Sequence, residues 1–287
     1  MKRRRFLQAL PLTLTVAPIP ALPRELGNTT GSFMRHLSET ARPGKLRLLD
    51  LPRIMRDELG MHVIDLMTAS LVSLEPKYLE QLRQVATDAG CVLTNLKMNQ
   101  KGLDMANADE TVRRQAIDTY RKTIDAAALL GVRWVRPLPG PNLPDLKLLA
   151  QSYRELIDYA GGKGIGLLIE NFGWMQNDAD AIPRVIQAVG PGLKAQPDTG
   201  NWSDAARYDG LAKAFPFAVS CDFKARELTA DGNHAAYDLK RCFDIGWQAG
   251  FRGPWCFEHF HDDLAQLFRE MGVLRDMLRR WIKDSPP

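Results

Sequence analysis

The sequence has few of the residues that build nitrogen- and sulfur-ligated metal clusters, with five histidines and four cysteines in 287 residues. The cysteines, Cys91, Cys221, Cys242 and Cys256, form neither a C-x-x-C pair nor a zinc-type spacing. We expect buried free thiols, with Cys221 and Cys256 on opposite sides of a sheet. An endonuclease that depends on a histidine-rich multi-zinc cluster is disfavoured for the same reason.

Long apolar runs are also missing, and the chain after its basic N-terminus has no net charge. No stretch reaches the roughly 18 apolar residues that a membrane helix needs. The formal charge of +4 comes from Lys2, Arg3, Arg4 and Arg5, because the remainder holds 34 basic and 34 acidic residues. The body therefore gives no electrostatic reason to expect a nucleic acid partner.

The first 21 residues have the composition of an export signal, with a basic start and a short, mildly apolar run. Arg3-Arg4-Arg5-Phe6-Leu7-Gln8 resembles the twin-arginine pattern, which directs folded proteins out of the cytoplasm. We therefore predict residues 1–26 to be a signal and linker, and the protein to be periplasmic or exported, with no membrane contact after export. A disordered basic tail is the alternative.

Short apolar runs alternate with amphipathic stretches of 10–20 residues over most of the chain. We predict strands at Val63–Leu66, Cys91–Leu96, Val132–Val135, Ile165–Glu170, Leu193–Asp198, Ala218–Phe223 and Pro254–Glu258. Each is followed by a helix, and Gly27–Phe33 is the weak candidate for an eighth strand before the helix at Leu49–Leu59. The helix after Cys91–Leu96 is predicted to start at Asn107, with Glu110 three residues on as in a capping box. Eight such units predict an α/β fold, a single-domain (β/α)8 TIM barrel over residues 27–287, with a doubly wound sheet as the competitor.

Four late strands end in an acidic residue. These residues are Glu170, Asp198, Asp222 and Glu258. Chemistry in such barrels gathers at the carboxyl ends of the strands, and carboxylates crowded there repel one another. A hard divalent cation with oxygen ligands would relieve the repulsion, and an all-carboxylate site favours Mn²⁺ or Mg²⁺. A structural acid or a helix cap is the alternative for any single one of them.

The order of the segments IEN, PDTGN, AVSCDFK and FE resembles the xylose isomerase-like superfamily, also called sugar phosphate isomerase/epimerase. Its tagatose/psicose epimerase branch is the best mechanistic model. The resemblance implies one divalent metal ion held at Glu170, Asp198, Asp222 and Glu258, and a small carbohydrate substrate. It also implies that Glu170 and Glu258 are the catalytic pair, which moves a proton on a ketose through an enediolate. An oligomer is possible.

Two positions depart from that family's pattern. Asp222 stands where many relatives have a histidine ligand, and Asn201 stands where the epimerases often have a substrate-binding histidine. The first departure can instead mean a lost metal, with Asp222 paired to Lys224 or Arg226.

Several further residues near the late strand ends are candidates for contacts with substrate. They are Asn201, Trp202, Lys224, His234 and His259. Lys97 and Arg136 end earlier strands and can reach the mouth of the barrel, but a solvated salt bridge is the preferred interpretation for both.

The function predicted from the sequence is a metal-dependent sugar isomerase or epimerase. One alternative is a metal-dependent lyase or hydrolase that acts on oxidised (keto) sugars with the same acid–base pair. Another is a catalytically inactive barrel that binds sugar.

Overall fold

The computed structural model describes residues 22–140, 142–225, 227–229 and 232–286. The predicted export segment at residues 1–21 and the side chain of Arg226 lie outside these residues. Of the helices in the described part, none is both long and apolar enough to cross a membrane.

Eight short parallel strands make one sheet that closes on itself. They are β1 (Leu26–Thr29), β2 (Val63–Met67), β3 (Val92–Met98), β4 (Trp134–Pro137), β5 (Gly166–Ile169), β6 (Leu193–Ala195), β7 (Cys221–Lys224) and β8 (Trp255–Glu258). Neighbours pair in the order β6-β5-β4-β3-β2-β1-β8-β7. Isolated parallel bridges, Ala195 to Ala218 and Asp198 to Asp222, join the remaining edges at β6 and β7. The closed barrel is therefore held at the β6–β7 seam by separate bridges rather than by a continuous ladder.

An α-helix follows every strand. The helices are α1 (Leu51–Asp57), α2 (Pro76–Asp88), α3 (Glu110–Leu130), α4 (Leu146–Gly161), α5 (Ala181–Val189), α6 (Arg207–Ala214), α7 (Leu239–Gln248) and α8 (Leu264–Asp284). This alternation confirms the predicted (β/α)8 TIM barrel and excludes the doubly wound sheet, which does not close.

Helix α4 shows how the local sequence sets an element. The Asp145 side chain caps it by accepting hydrogen bonds from the backbone N–H groups of Lys147 and Leu148. Leu149 and Leu156, two turns apart, are buried against the sheet, and each such leucine contributes roughly 1.5–3 kcal/mol. The glycines after the helix form its end and a turn, with Gly164 at a φ of 73°.

The first predicted strand and the start of helix α3 differ from the sequence prediction. The segment Gly27–Phe33 is strand only as far as Thr29, and Thr30–Phe33 forms a 3₁₀ turn that leads away from the sheet. Helix α3 begins at Glu110 with Asp109 as its cap, not at Asn107. The Asp109 side chain bonds the N–H of Thr111, whereas the Asn107 side chain accepts from the N–H of Asp109 and closes a turn before the helix.

Strand β6 is shorter than predicted, because it ends at Ala195 rather than at Asp198. Pro197 has no backbone N–H, so a continuous ladder with β7 cannot run through it. Its carbonyl instead accepts a hydrogen bond of 2.9 Å from the N–H of Asp222. The chain therefore leaves regular strand geometry just before Asp198.

The core divides into an apolar outer layer and a polar interior. On the outer face of β7 and β8, Trp255 packs against Phe215, Phe223 and Phe243 with ring centroids 5.2–5.7 Å apart. All four cysteines are buried and free, as expected. The interior of the barrel is instead filled near its carboxyl edge by charged and amide side chains, and these form the site.

Candidate metal and catalytic site

The acidic residues of β5–β8 meet at the carboxyl edge of the barrel. Glu170 follows the apolar strand β5, Asp222 lies within β7 and Glu258 ends β8. Asp198 follows β6 and forms a backbone bridge with Asp222. Parallel strands of a barrel all end at the same edge, so a carboxylate placed where each strand leaves the sheet faces a shared space.

Three of these carboxylates form a compact buried cluster. Glu170, Asp198 and Asp222 each offer one oxygen, and these oxygens lie within 4.8 Å of one another. The exposed fractions of the three residues are 3%, 0% and 0%. The Oδ2 atom of Asp222 has no hydrogen-bond partner among the described residues. We call these three residues the carboxylate cluster; they could hold a metal ion.

Two buried cations from the first half of the barrel contact this cluster. The Lys97 Nζ atom of β3 lies 2.5 Å from the Asp222 Oδ1 atom, and both side chains are fully buried. The Arg136 guanidinium of β4 pairs with the Glu170 carboxylate, and both of these side chains are at least 96% buried. Lys97 and Arg136 therefore reach the mouth, but the prediction of solvated salt bridges for them is wrong.

Lys224 connects the carboxylate cluster to Glu258. Its Nζ atom lies 2.7 Å from the Asp198 Oδ2 atom and 3.0 Å from the Glu258 Oε1 atom. Glu258 thus stands beside the cluster with its carboxylate held by a lysine. The alternative to a metal ligand pairs Asp222 with Lys224 or Arg226. Among the described residues, which do not include the side chain of Arg226, the ion-pair partner of Asp222 is Lys97.

The PDTGN segment supplies a polar link and a close approach of the backbone. The Asn201 amide donates to the Glu170 Oε1 atom at 3.3 Å, and its oxygen accepts from the Lys224 Nζ atom at 2.8 Å. The N–H of Gly200 donates to the Asp198 Oδ1 atom at 2.7 Å. A Cβ atom at Gly200 would lie 2.5 Å from the Lys224 side chain, so only glycine lets this loop approach so closely.

A fully buried amide forms the floor below the carboxylate cluster. The Gln196 Nε2 atom donates to the Asp65 Oδ2 atom at 2.7 Å and lies 3.3 Å from the Asp222 Oδ1 atom. Its oxygen accepts from the Asn95 amide at 2.8 Å. Asp65 also accepts from the Thr94 hydroxyl. These bonds satisfy an otherwise costly buried acid and fix the position of Asp222 from below.

The linked network carries more negative than positive charge. Within the described residues it contains five carboxylates and three cations. The carboxylates are Asp65, Glu170, Asp198, Asp222 and Glu258, and the cations are Lys97, Arg136 and Lys224. With all five carboxylates ionised, the network carries two negative charges more than its cations balance, and buried charge of this kind is costly. One divalent cation would balance them.

The state of Asp222 agrees with this balance. Burial raises the pKa of the Asp222 carboxyl to about 7, although Lys97 opposes the shift; Glu258 and Asp198 add to it. The single lysine therefore does not fully stabilise the ionised form, and one oxygen remains unsatisfied. The residues present fit a hard divalent ion with oxygen ligands.

A cavity of about 500 Å³ opens beside the cluster, at the carboxyl ends of β2–β5. We call it the mouth cavity. Its lining includes Met67, Asn99, Leu103, Leu138 and Phe172. The Asn99 Oδ1 atom accepts a hydrogen bond of 3.1 Å from the Arg136 Nη2 atom. Since Arg136 also pairs with Glu170, the cavity wall is one side chain away from the carboxylate cluster.

Not every predicted site residue lies in this network. His234 stacks on the ring of Tyr237 at 3.9 Å, with its Nδ1 atom bonded to the N–H of Ala236. Trp202 is 2% exposed and packs so tightly on Gly210 that a Cβ atom there would overlap its indole. These contacts indicate packing roles for both.

His259 also lies outside the network, because its side chain pairs with a residue of α8. It is fully buried, and its Nε2 atom lies 2.5 Å from the Glu270 Oε2 atom of α8. Its backbone N–H donates to the Ser32 hydroxyl. Of the five predicted substrate contacts, Asn201 and Lys224 are the two that the structure brings to the carboxylates.

Three parts of the network were not predicted, namely Asp65, Asn95 and Gln196. Each is a polar residue within or next to an apolar strand, on the side that alternates with the outward-facing residues. That alternation is the one local signal that could have found them. It does not say which strand provides the partner.

Residues 57–284 match the family described as xylose isomerase-like TIM barrel. A curated relative is L-ribulose-5-phosphate 3-epimerase UlaE from an Escherichia coli O157:H7 strain, which is 22% identical over 195 residues. The match covers 62% of this chain and 66% of that protein's length.

Two solved structures share the fold. D-psicose 3-epimerase in the presence of D-fructose superposes with a TM-score of 0.70 at 15% identity, over 91% of this chain and 100% of that one. A xylose isomerase-like TIM barrel protein from Mycobacterium smegmatis, in complex with magnesium, gives a TM-score of 0.63 at 19% identity. That match covers 90% of this chain and 97% of the other.

Proposed function

Because the chain belongs to the xylose isomerase-like TIM barrel family, we propose that it is a sugar isomerase or epimerase that depends on a divalent metal ion. The observation that carries this proposal is the buried carboxylate cluster of Glu170, Asp198 and Asp222, with Glu258 beside it on Lys224. Proton transfer next to a carbonyl needs one carboxylate to take the proton and a second group to return it. We propose Glu170 and Glu258 for these two roles.

Glu170, Asp198 and Asp222 would hold the ion, and we propose Glu258 as the fourth ligand. Carboxylate oxygens favour Mn²⁺ or Mg²⁺ over softer metals. When bound, the ion supplies stabilisation of negative charge that develops on substrate oxygens during proton removal. The related protein from Mycobacterium smegmatis, solved in complex with magnesium, supports this choice.

The two proposed proton-transfer groups are held by different cations. Arg136 and Asn201 orient the Glu170 carboxylate, and Lys224 orients that of Glu258. Burial alone would raise the pKa of Glu258, but Lys224 and Lys97 outweigh it and lower that pKa below its usual value. Glu258 is thus ionised at neutral pH and available as a base.

We propose that one glutamate removes the proton from the carbon beside the substrate carbonyl. The other glutamate first takes a proton from solvent, and its return of that proton to the opposite face of the carbon inverts the configuration, which is epimerisation. Return to the neighbouring carbon converts ketose to aldose. The relatives that are named as 3-epimerases of L-ribulose 5-phosphate and of D-psicose support the first outcome.

The experiment is incorporation of solvent deuterium into carbon, followed by NMR, for a panel of free ketoses and oxidised sugars. The Mn²⁺-loaded protein should label the carbon that reacts, and the same protein after chelation should not. No labelling of any sugar by the fully loaded protein would reject the proposal.

Product analysis in the same samples separates the lyase alternative. An elimination shares the first proton removal but releases a leaving group, so a glycoside would yield free aglycone. Protein that contains no metal and binds sugar without exchange would instead indicate the inactive barrel.

We also propose that residues 1–21 direct twin-arginine export. Replacing Arg3, Arg4 and Arg5 by lysine should retain the full-length chain in the cytoplasm, as measured by fractionation. Unchanged export of the variant would reject the proposal.

A further inference from the structure

The mouth cavity is apolar, although it adjoins a charged site. Its side chains include Met67 at the end of β2, Leu103 after β3, Leu138 after β4 and Phe172 after β5. Phe172 follows Glu170 by two residues and is 37% exposed. An apolar wall next to convergent polar groups is the usual construction of a small-molecule site.

Exposed apolar residues are concentrated on the same face. Among the described residues, eight large hydrophobic side chains are exposed, and five of them lie in loops that follow barrel strands. These five are Met34, Val72, Leu74, Leu143 and Phe172. Of these five, Phe172 lines the mouth cavity, and exposed apolar surface of this kind indicates a place where a ligand or a partner is bound.

The cavity does not provide the charge that a phosphate would need. Its described lining contains one cation, Lys101, and one acid, Asp104, whose charges oppose each other. Asp104 is bonded to the N–H of Ala106 and to the Asn107 amide, so it stays in place. A phosphorylated sugar is therefore a poor fit in this cavity.

We infer that the site takes a sugar that carries an apolar substituent, an alkyl or aryl aglycone, rather than a phosphate. The sugar ring lies at Glu170 and Asn201, and the substituent lies in the mouth cavity against Leu138 and Phe172. A volume of about 500 Å³ is within the range of roughly 300–1,000 Å³ that encloses drug-sized ligands. The inference rests on the proposed function for the position of the sugar.

Binding of matched glucosides tests this directly. Isothermal titration of the Mn²⁺-loaded full chain would compare phenyl β-D-glucoside, methyl β-D-glucoside and glucose 6-phosphate. Burial of the phenyl ring should make the first bind about 10-fold more tightly than the second. Glucose 6-phosphate should not bind more tightly than methyl glucoside. A phenyl-to-methyl ratio near one, preferred binding of the phosphate, or no measurable binding of phenyl glucoside would overturn the inference.

Two phenylalanines provide a matched pair of variants. Phe172 is 37% exposed in the cavity wall, and Phe217 is 36% exposed after helix α6, outside the cavity. Phe172→Ala should remove most of the preference for the phenyl compound, and Phe217→Ala should keep it. Equal effects of both variants would count against the cavity as the binding site.

A second copy of the chain is the competing occupant of this apolar face. Sedimentation velocity should give wild type and Phe172→Ala the same mass. If the wild-type chain is a dimer, and Phe172→Ala dissociates it whereas Phe217→Ala does not, the apolar face is an interface and the inference is overturned.

Failure here is distinguishable from failure of the proposed function. A preference for the phenyl compound without deuterium exchange on any sugar would leave the inference standing and reject the proton chemistry. Exchange on free ketoses without the preference would do the reverse.

Discussion

The two halves of the barrel bring opposite charges to its mouth. Strands β3 and β4 supply Lys97 and Arg136, whereas the ends of β5–β8 supply four carboxylates, with Lys224 as the one cation among them in the described part of the chain. Neither half could bury its charges alone, because an unpaired ion loses more hydration energy than an interior without partners returns. Closure of the barrel is therefore also the step that brings the cations to the carboxylates, with two negative charges left in excess.

The largest expected effect comes from the acidic half. Glu170→Gln or Glu258→Gln keeps size and one ligand oxygen but cannot carry a proton, so kcat should fall by about 10²–10⁴-fold. Steady-state kinetics and deuterium exchange measure the loss. Because the two residues serve one reaction path, the double variant should lose less than the product of the single losses.

The control is Glu227→Gln, which changes an exposed carboxylate in the loop after β7. This variant should keep the wild-type rate. Wild-type turnover by either the Glu170→Gln or the Glu258→Gln protein would move the proton chemistry to another group.

The next largest effect is the loss of stability when a buried ion pair is broken, compared with the loss for an exposed one. Lys97→Met leaves Asp222 buried without its cation, which should cost about 3–5 kcal/mol of unfolding free energy. The control is Lys240→Met: Lys240 also lies 2.5 Å from an aspartate, Asp244, but both of those side chains are exposed. Its loss should stay below about 1 kcal/mol.

Urea unfolding measures both variants. Adding Asp222→Asn to Lys97→Met should recover part of the loss, because it removes the unpaired charge. Equal destabilisation by the two lysine variants would contradict the burial argument.

A divalent ion should then act on the negative excess. Mn²⁺ at 100 times its dissociation constant should add about 2.7 kcal/mol to the stability of the chelated protein, because it binds only the folded state. Asp222→Asn should weaken this effect, and Asp222→His should retain binding with a shift toward zinc or cobalt. Melting curves with metal analysis give the result. A melting temperature that does not change with added Mn²⁺ would show that a divalent ion is not what balances the excess negative charge.

The smallest effect is the dependence of stability on pH without metal. Because burial raises the pKa of Asp222 from 3.8 to about 7, the folded state holds a proton that the unfolded state has lost between these values. Stability should therefore fall as pH rises, by at most about 1.4 kcal/mol per unit up to pH 7. Unfolding in chelator at pH 6 and pH 7 measures it. Asp222→Asn should flatten the slope, and an unchanged slope in that variant would assign it to another group.

The acidic half was predictable from the sequence, whereas the basic half was not. Each late apolar run carries an acid at or near its carboxyl end, so local pattern and barrel topology together place Glu170 and Asp222 at one edge. Lys97 also ends a strand, but its partner Asp222 is 125 residues away. Local pattern cannot distinguish a lysine that crosses a barrel from one that reaches solvent, so its burial was missed.

The predicted ends of helices and strands were wrong where a neighbouring residue determined the boundary instead. Asp109 takes the cap of α3 that was predicted for Asn107, because both side chains can bond a backbone N–H two residues on. Strand β6 stops at Ala195 because Pro197 cannot donate to a ladder. The fold class did not depend on either detail, since eight alternating units determine it.

The β6–β7 seam links backbone motion to the state of the site. The bridge between Asp198 and Asp222 is part of that seam, and both side chains belong to the carboxylate cluster. An ion shared by the two aspartates would stabilise the backbone pairing at the seam. When the ion is removed, the hydrogen bonds at the seam should open locally more often. The amide hydrogens of Thr199 and Asp222, which cross the seam, should then exchange with solvent faster than those of the β2–β3 ladder.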